Sequence, residues 1–294
     1  MIKNNPKISI VLPCYNGATM LPTAIASCIN QSFKDWELII VNDCSTDNTL
    51  EVALQYADID NRIRVLDNET NLKLPASLNR GFSEARGMYY TWTSDDNIMH
   101  TNMLQELSSF LDKHPECGLV ASDYMVIDEH DNIKRKVELP DNLSVLLPLN
   151  NYLGCSFMYR KEVAKHVGDY RVDLFLVEDY EYWMRIAMQY PIARLNKILY
   201  SYREHPQSLT ATRKPEIEKR LVTMRLNYVD KIEKMMLSNP KLLALFYFRI
   251  VDNLVGKEQK KYIWHFTLKQ PIYFGCRYFF IHLPKRIIHK LISY

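Results

Sequence analysis

Short β-branched apolar runs alternate with segments of helical periodicity along the N-terminal part of the chain. The runs predict strands at 8–12, 38–41, 63–66 and 88–93, and the pattern between them predicts helices at 21–31 and 76–84. Strands that alternate with helices of this length are typical of βαβ units, which form a parallel sheet covered by helices on both faces. We therefore predict an α/β, Rossmann-like fold with a mostly parallel central sheet.

The same pattern extends the sheet and then changes. Further strands are predicted at 118–122, 157–160 and 192–200, with a helix at 180–188. After about residue 210 the chain shows helical periodicity with Lys and Glu on the polar face, over 216–236, and then becomes basic and rich in aromatic residues. The sequence therefore predicts two domains, a sheet domain at 1–210 and a helical C-terminal extension at 211–294.

The composition is that of an ordinary globular protein. Of the 294 residues, 47% are hydrophobic and 24% are charged, which argues against a disordered, collagen-like or integral-membrane chain. The six cysteines form no CxxC pair and have no histidine at zinc-ligand spacing. Free thiols of this kind are typical of a reducing compartment, so we expect a cytoplasmic protein.

The basic residues are concentrated near the C-terminus. The net charge is only +3, but residues 256–294 carry eight basic side chains and one acid. This distribution favours a membrane surface or another polyanion over a nucleic-acid groove in the main body. Aromatic and aliphatic residues accompany the cations at 271–294, as in an interfacial helix. We predict peripheral membrane contact there, the alternative being a helix packed on the rest of the protein.

Polar side chains follow three of the predicted strands at the point where each strand ends. The first strand leads into Pro13-Cys14-Tyr15-Asn16, the second into Asn42-Asp43-Cys44-Ser45, and the strand at 88–93 into Ser94-Asp95-Asp96-Asn97. Ligands of parallel α/β sheets bind beyond the carboxyl ends of the strands. The three clusters therefore predict one binding site at this edge of the sheet.

The acids at these strand ends have a definite chemistry. Mg²⁺ and Mn²⁺ take one or two protein carboxylates together with water and substrate phosphates, so one acid of the pair Asp95-Asp96 could hold a cation while the other accepts a sugar hydroxyl. The alternative for this pair is a solvated turn near a helix start, which the helix dipole favours. Asp43 could accept a hydrogen bond from an imide N–H such as that of uracil or thymine, because a carboxylate only accepts.

Several motifs occur in a fixed order along the chain. They are ISIVLPCYN at 8–16, QS at 31–32, WELIIVND at 36–43, STD at 45–47, NRG at 79–81, ARG at 85–87, TSDDN at 93–97 and EDYEYW at 178–183. In this order they resemble the motif series of family-2 inverting glycosyltransferases with the GT-A fold. The resemblance spans about residues 7–210.

The resemblance implies a reaction and a donor site. Members of the family transfer a sugar from a nucleoside diphosphate, usually UDP, to an acceptor hydroxyl with inversion at the anomeric carbon. By similarity, Tyr15 stacks on the base, Pro13 shapes its pocket and Asp43 binds the base. Asp95 would contact the ribose, and Asp96 would bind the Mg²⁺ or Mn²⁺ ion on the diphosphate.

The resemblance also implies the catalytic residues. Asp179 matches the family's general base and Glu178 supports it, although acids at a helix start are also common on dipole grounds alone. The segment Tyr202-Arg203-Glu204-His205 resembles the family's YRxH segment, so His205 could contact the metal or the diphosphate, the alternative being a solvated loop histidine. Lys73 stands where relatives have glycine, and it either touches the nucleotide or is solvated.

The sequence thus predicts a metal-assisted inverting glycosyltransferase that uses a UDP- or dTDP-sugar. The expected acceptor is a saccharide or lipid-linked saccharide in the synthesis of surface polysaccharide, lipopolysaccharide or capsule. One alternative is a sugar-nucleotide pyrophosphorylase, but the glycine-rich, Arg-bearing loop that it needs after the first strand is replaced by Pro13-Cys14-Tyr15-Asn16-Gly17. The other is a catalytically silent scaffold on a membrane surface.

Overall fold

The computed structural model describes residues 5–279 and divides into two compact units. The first unit holds the residues up to Leu147 and from Asn151 to Thr212, and the second holds Pro148–Asn150 and the residues from Arg213 onward. The division after Thr212 lies close to the boundary expected at residue 210. No helix within the described residues has both the length and the apolar character needed to cross a membrane.

The first unit is built around one nine-stranded sheet. Its strands are β1 (Ile8–Cys14), β2 (Trp36–Asn42), β3 (Ile63–Asp67), β4 (Tyr89–Trp92), β5 (Ile98–Met99), β6 (Leu119–Ile127), β7 (Ile133–Val137), β8 (Phe157–Arg160) and β9 (Ile192–Arg203). Its helices are α1 (Leu21–Ile29), α2 (Thr49–Ile59), α3 (Leu74–Ser83), α4 (Met103–Lys113), α5 (Leu143–Leu146), α6 (Lys161–Val167), α7 (Glu178–Ala187) and α8 (Leu209–Thr212).

One half of the sheet is parallel, in the order β3-β2-β1-β4. Every residue of β1, β2 and β4 is buried, as expected for strands covered on both faces. The chain passes from β1 through β2 to β3 and then returns to place β4 on the other side of β1. The carboxyl ends of β1 and β4 therefore form a topological switch point, where ligands bind in sheets of this kind.

The other half of the sheet, β8-β6-β9-β5, is mixed. β8 runs antiparallel to both β4 and β6, whereas β9 is parallel to β6 and antiparallel to β5. β7 adds an antiparallel edge strand on β6, and its side chains are exposed and include Lys134, Arg135 and Lys136. Basic side chains on an edge strand discourage pairing with a second sheet.

Strands β1 to β4 lie where the apolar runs predict them, with ends that differ by at most two residues, whereas β6 and β9 end five and three residues beyond their predicted ends at 122 and 200. β1 extends through Pro13 to Cys14, and Pro13 causes no loss there because the pairing of β1 with β4 ends at Val11. Two short or exposed strands, β5 and β7, were not predicted.

An aromatic cluster holds α7 against the sheet. Tyr182 and Trp183 of α7 are buried, and the ring of Tyr182 stacks on Tyr170 with centroids 4.0 Å apart. Trp183 packs against Phe157 of β8 with ring centroids 4.4 Å apart. Because large buried rings cannot shift without opening a cavity, the start of α7 is held rigidly.

The second unit is helical in its described part. Its helices are α9 (Lys214–Asn227), α10 (Val229–Met235), α11 (Pro240–Val251) and α12 (Gly256–Lys269), followed by a π-type turn at Pro271–Cys276. The single helical stretch predicted at 216–236 is two helices, because the buried Tyr228 takes a non-helical conformation with φ −112° and ψ 3°. Of the segment predicted to contact a membrane, residues 280–294 lie outside the described residues.

Candidate active site

The loops that follow β1 and β4 meet at the switch point. A Cβ atom added at Gly17 would lie 2.0 Å from Oδ2 of Asp95, so only glycine leaves room for this carboxylate. The backbone of Tyr15, on the loop after β1, favours the ionised form of Asp95 and so lowers its pKa, against the larger effect of burial. The first and fourth strands thus jointly hold the Asp95 side chain, as their positions in the sheet predict.

The loops after β1 and β2 are joined by hydrogen bonds. Oδ1 of Asn16 accepts from the backbone N–H of Thr46 at 2.8 Å, and Oγ of Ser45 accepts from the N–H of Asn16 at 3.0 Å. Asn16 and Cys44 have φ values of 53° and 60°, which residues other than glycine rarely adopt. Backbone strain of this kind clusters at functional sites.

Asp43 holds the loop that leads into α3. Its Oδ1 accepts from Nδ2 of Asn68 at 2.7 Å and from the N–H of Leu72 at 2.8 Å, and its Oδ2 accepts from the N–H of Lys73 at 2.8 Å. These bonds fix Lys73 at φ 72° and ψ 164°, a region that is almost restricted to glycine. Asp43, predicted as a base-binding residue, therefore also shapes the loop that carries Lys73.

Two further residues predicted for nucleotide binding lie at the end of β1. Pro13 is buried within the strand, and Tyr15 follows it with half of its surface exposed. Burial raises the pKa of the Cys14 thiol, and the charges of Asp95 and Asp43 raise it further. An exposed aromatic ring beside these acids is placed to stack on a base.

Asp95 and Asp96 are two buried carboxylates next to one another. Burial and the charge of Asp96 raise the pKa of Asp95 to about 7. Burial also raises the pKa of Asp96, although His205 favours its ionised form. Oδ2 of Asp96 lies 3.0 Å from Nε2 of His205, whereas Oδ1 is buried and has no hydrogen-bond partner within the described part of the chain. This contact brings His205 next to Asp96, and its expected role at a metal or a diphosphate stays a prediction.

Arg203 bonds the Asp96 loop and a second loop that contains Asp128 and Asp131. Its Nε donates to the backbone oxygen of Asp96 at 2.8 Å, and its N–H donates to Oδ1 of Asn97 at 2.8 Å. Its Nη1 bonds the backbone oxygen of Asp128 and forms an ion pair with Asp131 at 2.7 Å. These bonds hold the backbone of the loop that carries Asp96.

Asp179 lies in the first turn of α7, as predicted, and is buried. Its Oδ2 accepts from Nδ2 of Asn151 at 3.1 Å, and its Oδ1 accepts from the N–H of Tyr180 at 2.6 Å. Burial nevertheless raises the pKa of this carboxyl. Glu178 is also buried, with 3% of its surface exposed.

Cys155 links the two groups of acids. Burial raises the pKa of its thiol, and the charges of Asp96 and Asp179 raise it further. Both carboxylates therefore lie within electrostatic range of Cys155. Asp96 follows a strand and Asp179 lies at the start of a helix.

Four residues of this region were missed by sequence reasoning: Gly17, Asn68, Asn151 and Cys155. Gly17 follows a motif residue directly, so its closeness to the first strand end is a signal that could have found it. Asn151 and Cys155 carry no such signal, because they lie in a loop whose path depends on the complete fold. Their relation to Asp179 is visible only in three dimensions.

The acids do not form a ready-made metal cage. Within residues 5–279, no group of three or more His, Cys, Asp and Glu side chains is arranged to hold a metal ion. Asp96 and His205 are two candidate ligands, and the unpartnered Oδ1 of Asp96 is a third lone-pair site. A donor set of this size would suit only a cation that takes most of its ligands from water and phosphate.

Comparison with a family model gives a match over most of the sheet unit. The model described as glycosyl transferase family 2 matches residues 9–168. This range includes the strand ends that carry Tyr15, Asp43, Asp95 and Asp96.

Similar proteins are found in several bacteria. EpsE of Bacillus subtilis, a protein named as a glycosyltransferase, is 38% identical over 129 residues, which cover 44% of this chain and 46% of EpsE. An uncharacterized glycosyltransferase of Rickettsia conorii is 35% identical over 211 residues, which cover 68% of this chain and 34% of that protein. One from Haemophilus influenzae is 24% identical over 268 residues, covering 84% and 82%. The chain therefore spans less than half the length of EpsE and of the Rickettsia protein.

Two solved structures share the fold. Staphylococcus aureus TarS 1–349 in complex with UDP matches with a TM-score of 0.63 and 20% identity, covering 87% of this chain and 78% of TarS 1–349. The mannosyltransferase PcManGT of Pyrobaculum calidifontis, in complex with GDP-Man and Mn²⁺, matches with a TM-score of 0.61 and 14% identity, covering 92% and 82%. These likenesses confirm the α/β, GT-A class of fold that the sequence predicts.

Proposed function

Because the chain belongs to glycosyl transferase family 2, we propose that it transfers a sugar from a nucleoside-diphosphate donor to an acceptor hydroxyl. The observation that carries this proposal is the buried Asp96 carboxylate after β4, which contacts His205 through Oδ2 and whose Oδ1 has no hydrogen-bond partner among the described residues. One carboxylate at the diphosphate and a second at the acceptor is what displacement at a single anomeric carbon requires.

The donor nucleotide is bound at the ends of β1, β2 and β4. The exposed ring of Tyr15 stacks on the base, and Pro13 forms the floor beneath it. Asp43 accepts from the imide N–H of uracil or thymine through a lone pair that its three protein hydrogen bonds leave over. Asp95, whose carboxylate packs against Gly17, accepts a hydrogen bond from a ribose hydroxyl. Lys73 lies near the nucleotide and contributes a positive charge. We therefore expect a UDP- or dTDP-sugar.

The residues at the Asp96 loop fit a divalent cation. The buried and unpartnered Oδ1 of Asp96 is an acceptor without a donor, and a hard cation supplies the missing partner. Asp96 would hold Mg²⁺ or Mn²⁺, with His205 beside it, and Arg203 keeps the loop in place. When bound, the cation stabilises the negative charge that develops on the departing diphosphate.

Asp179 is the proposed general base. It takes the proton from the acceptor hydroxyl on the face of the sugar opposite the diphosphate, which gives inversion at the anomeric carbon. The rings of Tyr182 and Trp183 hold the start of α7, so the carboxylate is positioned before substrate arrives. Glu178, buried next to it, supports this arrangement.

The acceptor and the setting follow from the sequence alone and stay predictions. We expect a saccharide or lipid-linked saccharide in the assembly of surface polysaccharide, lipopolysaccharide or capsule. The cytoplasmic face of a membrane is the expected location, with no role for nucleic acid.

The test is donor turnover by the purified chain and two variants. UDP-, dTDP- and GDP-sugars are incubated with and without Mn²⁺, and nucleotide release is measured for the parent, Asp96→Asn and Asp179→Asn. We expect Mn²⁺-dependent release from a UDP- or dTDP-sugar, reduced about a hundredfold or more in both variants.

Turnover that is retained in both variants would overturn the assignment of these acids. Absence of release from every donor, with and without saccharide acceptors, would favour the silent-scaffold alternative. Release of a sugar 1-phosphate when pyrophosphate is added would favour the pyrophosphorylase alternative. A thermal shift of the parent chain with each donor reports binding separately from chemistry.

A further inference from the structure

The outer face of α12 carries a linear set of cations and apolar side chains. Three lysines and two large apolar residues follow one another at spacings of i, i+3, i+4, i+7 and i+11, which place them on one face of a helix. They are Lys257, Lys260, Lys261, Trp264 and Leu268. All five are exposed, and we call this set the α12 face.

The opposite side of the helix is packed. Ile263 and Phe266 are buried, and the ring of Phe266 stacks on Tyr247 of α11 with centroids 4.0 Å apart. The packing fixes the rotation of α12 about its axis, so the α12 face is turned outward by the fold of this unit.

The apolar part of the face is large and exposed. Trp264 is 62% exposed and Leu268 is 81% exposed, and Ile272, four residues further on, is 72% exposed. The ring of Phe279 lies 6.0 Å from that of Trp264 and extends the same surface. Contiguous apolar surface of this kind marks an interaction site, whereas single exposed apolar residues need no explanation.

The charged side chains next to this surface are almost all basic. Lys257, Lys260 and Lys261 precede the apolar residues by one to two helical turns, and Glu258 is the one acid in α12. Lys269 is engaged elsewhere, since its Nζ lies 2.6 Å from Oε2 of Glu233. Residues 256–294 as a whole hold eight basic residues and one acid. The complementary partner is therefore negatively charged and has an apolar interior.

We propose that the α12 face docks on the surface of an anionic lipid bilayer. Trp264, Leu268 and Ile272 enter the boundary between headgroups and acyl chains, where Trp is favoured, and the three lysines lie among the anionic headgroups. A second protein with an acidic surface would satisfy the lysines but would gain less from an exposed Trp next to an exposed Leu. The proposal concerns this helical unit and is independent of the transferase chemistry.

Trp264 makes the proposal directly measurable. The chain has four tryptophans, and the other three, Trp36, Trp92 and Trp183, are at most 9% exposed. Intrinsic fluorescence therefore reports mainly on Trp264 when its surroundings change. We expect a blue shift and protection from acrylamide quenching when the full chain meets vesicles of phosphatidylcholine mixed with phosphatidylglycerol, and neither with phosphatidylcholine alone.

Matched variants show whether binding depends on the α12 face or only on the net positive charge of the chain. The double change Lys260→Glu and Lys261→Glu should lower the vesicle partition coefficient at least about tenfold, because each lysine near an anionic surface contributes to binding. The change Lys231→Glu with Lys234→Glu, at exposed positions of α10, alters the net charge equally and should have a much smaller effect. Leu268→Ala should weaken binding, whereas Leu237→Ala, at a residue 73% exposed, should not.

Three outcomes would overturn the proposal. One is equal partitioning of the two charge-reversal variants, and the second is absence of binding to the anionic vesicles. The third is a blue shift without vesicles that grows with protein concentration, which would mean that a second copy of the chain covers the face. Circular dichroism of each variant shows whether it folds. Donor turnover without lipid should be unchanged throughout, so a failed transferase assay leaves this test intact.

Discussion

Folding and the proposed chemistry place opposite requirements on the Asp179 carboxylate. Burial raises its pKa, so the folded state prefers the protonated form, whereas a general base must be ionised. A group with a raised pKa contributes full stability at low pH and loses it as the pH rises through the folded-state pKa. Asp179→Asn should therefore raise the melting temperature at neutral pH while it reduces transfer about a hundredfold or more.

The neutral side chain can be accommodated without loss of hydrogen bonds. An amide oxygen at position 179 can still accept from the N–H of Tyr180. The new amide nitrogen would face Nδ2 of Asn151, so the Asn151 amide flips and its Oδ1, buried and without a hydrogen-bond partner among the described residues, accepts from the new amide. Thermal unfolding over a range of pH is the measurement, and the gain should vanish in acid. Asp173→Asn, at an exposed acid whose pKa is lowered by Arg171, is the control and should give no gain. A lower melting temperature of Asp179→Asn at neutral pH contradicts the prediction.

Asn151 is expected to position Asp179 and to favour its ionised form. Its Nδ2 must face the carboxylate, since an ionised carboxylate only accepts hydrogen bonds. The other titratable groups near Asp179 are Glu178, next to it in the chain, and Cys155 and Tyr170, whose pKa values are raised well above their usual range. Asn151→Ala should therefore move the acid limb of the pH–rate profile upward by about one pH unit.

The matched control for this change is the neighbouring, exposed Asn150. Asn150→Ala should leave the profile in place, and KM for the donor should be similar in both variants. A lower rate of Asn151→Ala with an unmoved acid limb would mean that the residue only supports the fold. Asp179→Asn, which is inactive if Asp179 is the base, distinguishes this result from failure of the whole mechanism.

Lys73 holds a backbone conformation that suits glycine. Non-glycine residues in this region cost on the order of 1 to 3 kcal/mol, while glycine costs somewhat less than 1 kcal/mol in added chain entropy. Lys73→Gly should therefore stabilise the fold by about 1 kcal/mol, as measured by denaturant unfolding. Lys73→Ala removes the same cation but keeps the strain, so it should not stabilise. If Lys73 touches the nucleotide, both variants should bind UDP more weakly and to a similar extent.

At the residue scale, the sequence placed the acids but not their partners. Asp43, Asp95 and Asp96 could be predicted because each follows a strand that the apolar pattern identifies. The hydrogen bond of Asn151 to Asp179 depends on the path of a loop, and nothing in the local sequence encodes that path. The strain at Lys73 was signalled only by the missing glycine.

At the element scale, buried strands were predictable and exposed ones were not. β1, β2 and β4 are buried along their whole length, so their apolar runs stand out from the surrounding sequence. β7 is an exposed edge strand and β5 has two residues, so neither leaves an apolar run to detect. The mixed half of the sheet was not predictable, because it depends on β5, β7 and β8. The sequence of a strand as short as β8 does not reveal its direction.

The contact between the loops after β1 and β4 gives a prediction at this scale. A methyl group at position 17 would collide with the Asp95 carboxylate, so Gly17→Ala should displace it and weaken nucleotide binding. The affinity for UDP should fall about tenfold, by the loss of one hydrogen bond to a charged group. Isothermal titration of Gly17→Ala, Asp95→Ala and the double variant measures it. The two losses should not add, and additive losses would show that Gly17 acts elsewhere.

At the scale of the whole molecule, the change of sequence character near residue 210 coincides with a division of contacts after Thr212. Apolar alternation produces the sheet unit and Lys/Glu periodicity produces the helical unit, so two patterns give two cores. These patterns do not predict the pairing of β6 with β9. The two strands lie about 70 residues apart in the sequence, and they pair only when the rest of the sheet has formed.

The most direct test of the central claim is a crystal structure of the chain with UDP and Mn²⁺, with the metal located by its anomalous scattering. We predict an Mn²⁺ peak at Oδ1 of Asp96, the uracil ring on Tyr15, and the Asp179 carboxylate facing the same cleft across from the diphosphate. A metal bound away from Asp96, or an Asp179 carboxylate that faces a separate cavity, would contradict the claim, because one anomeric carbon could not then be reached by both groups.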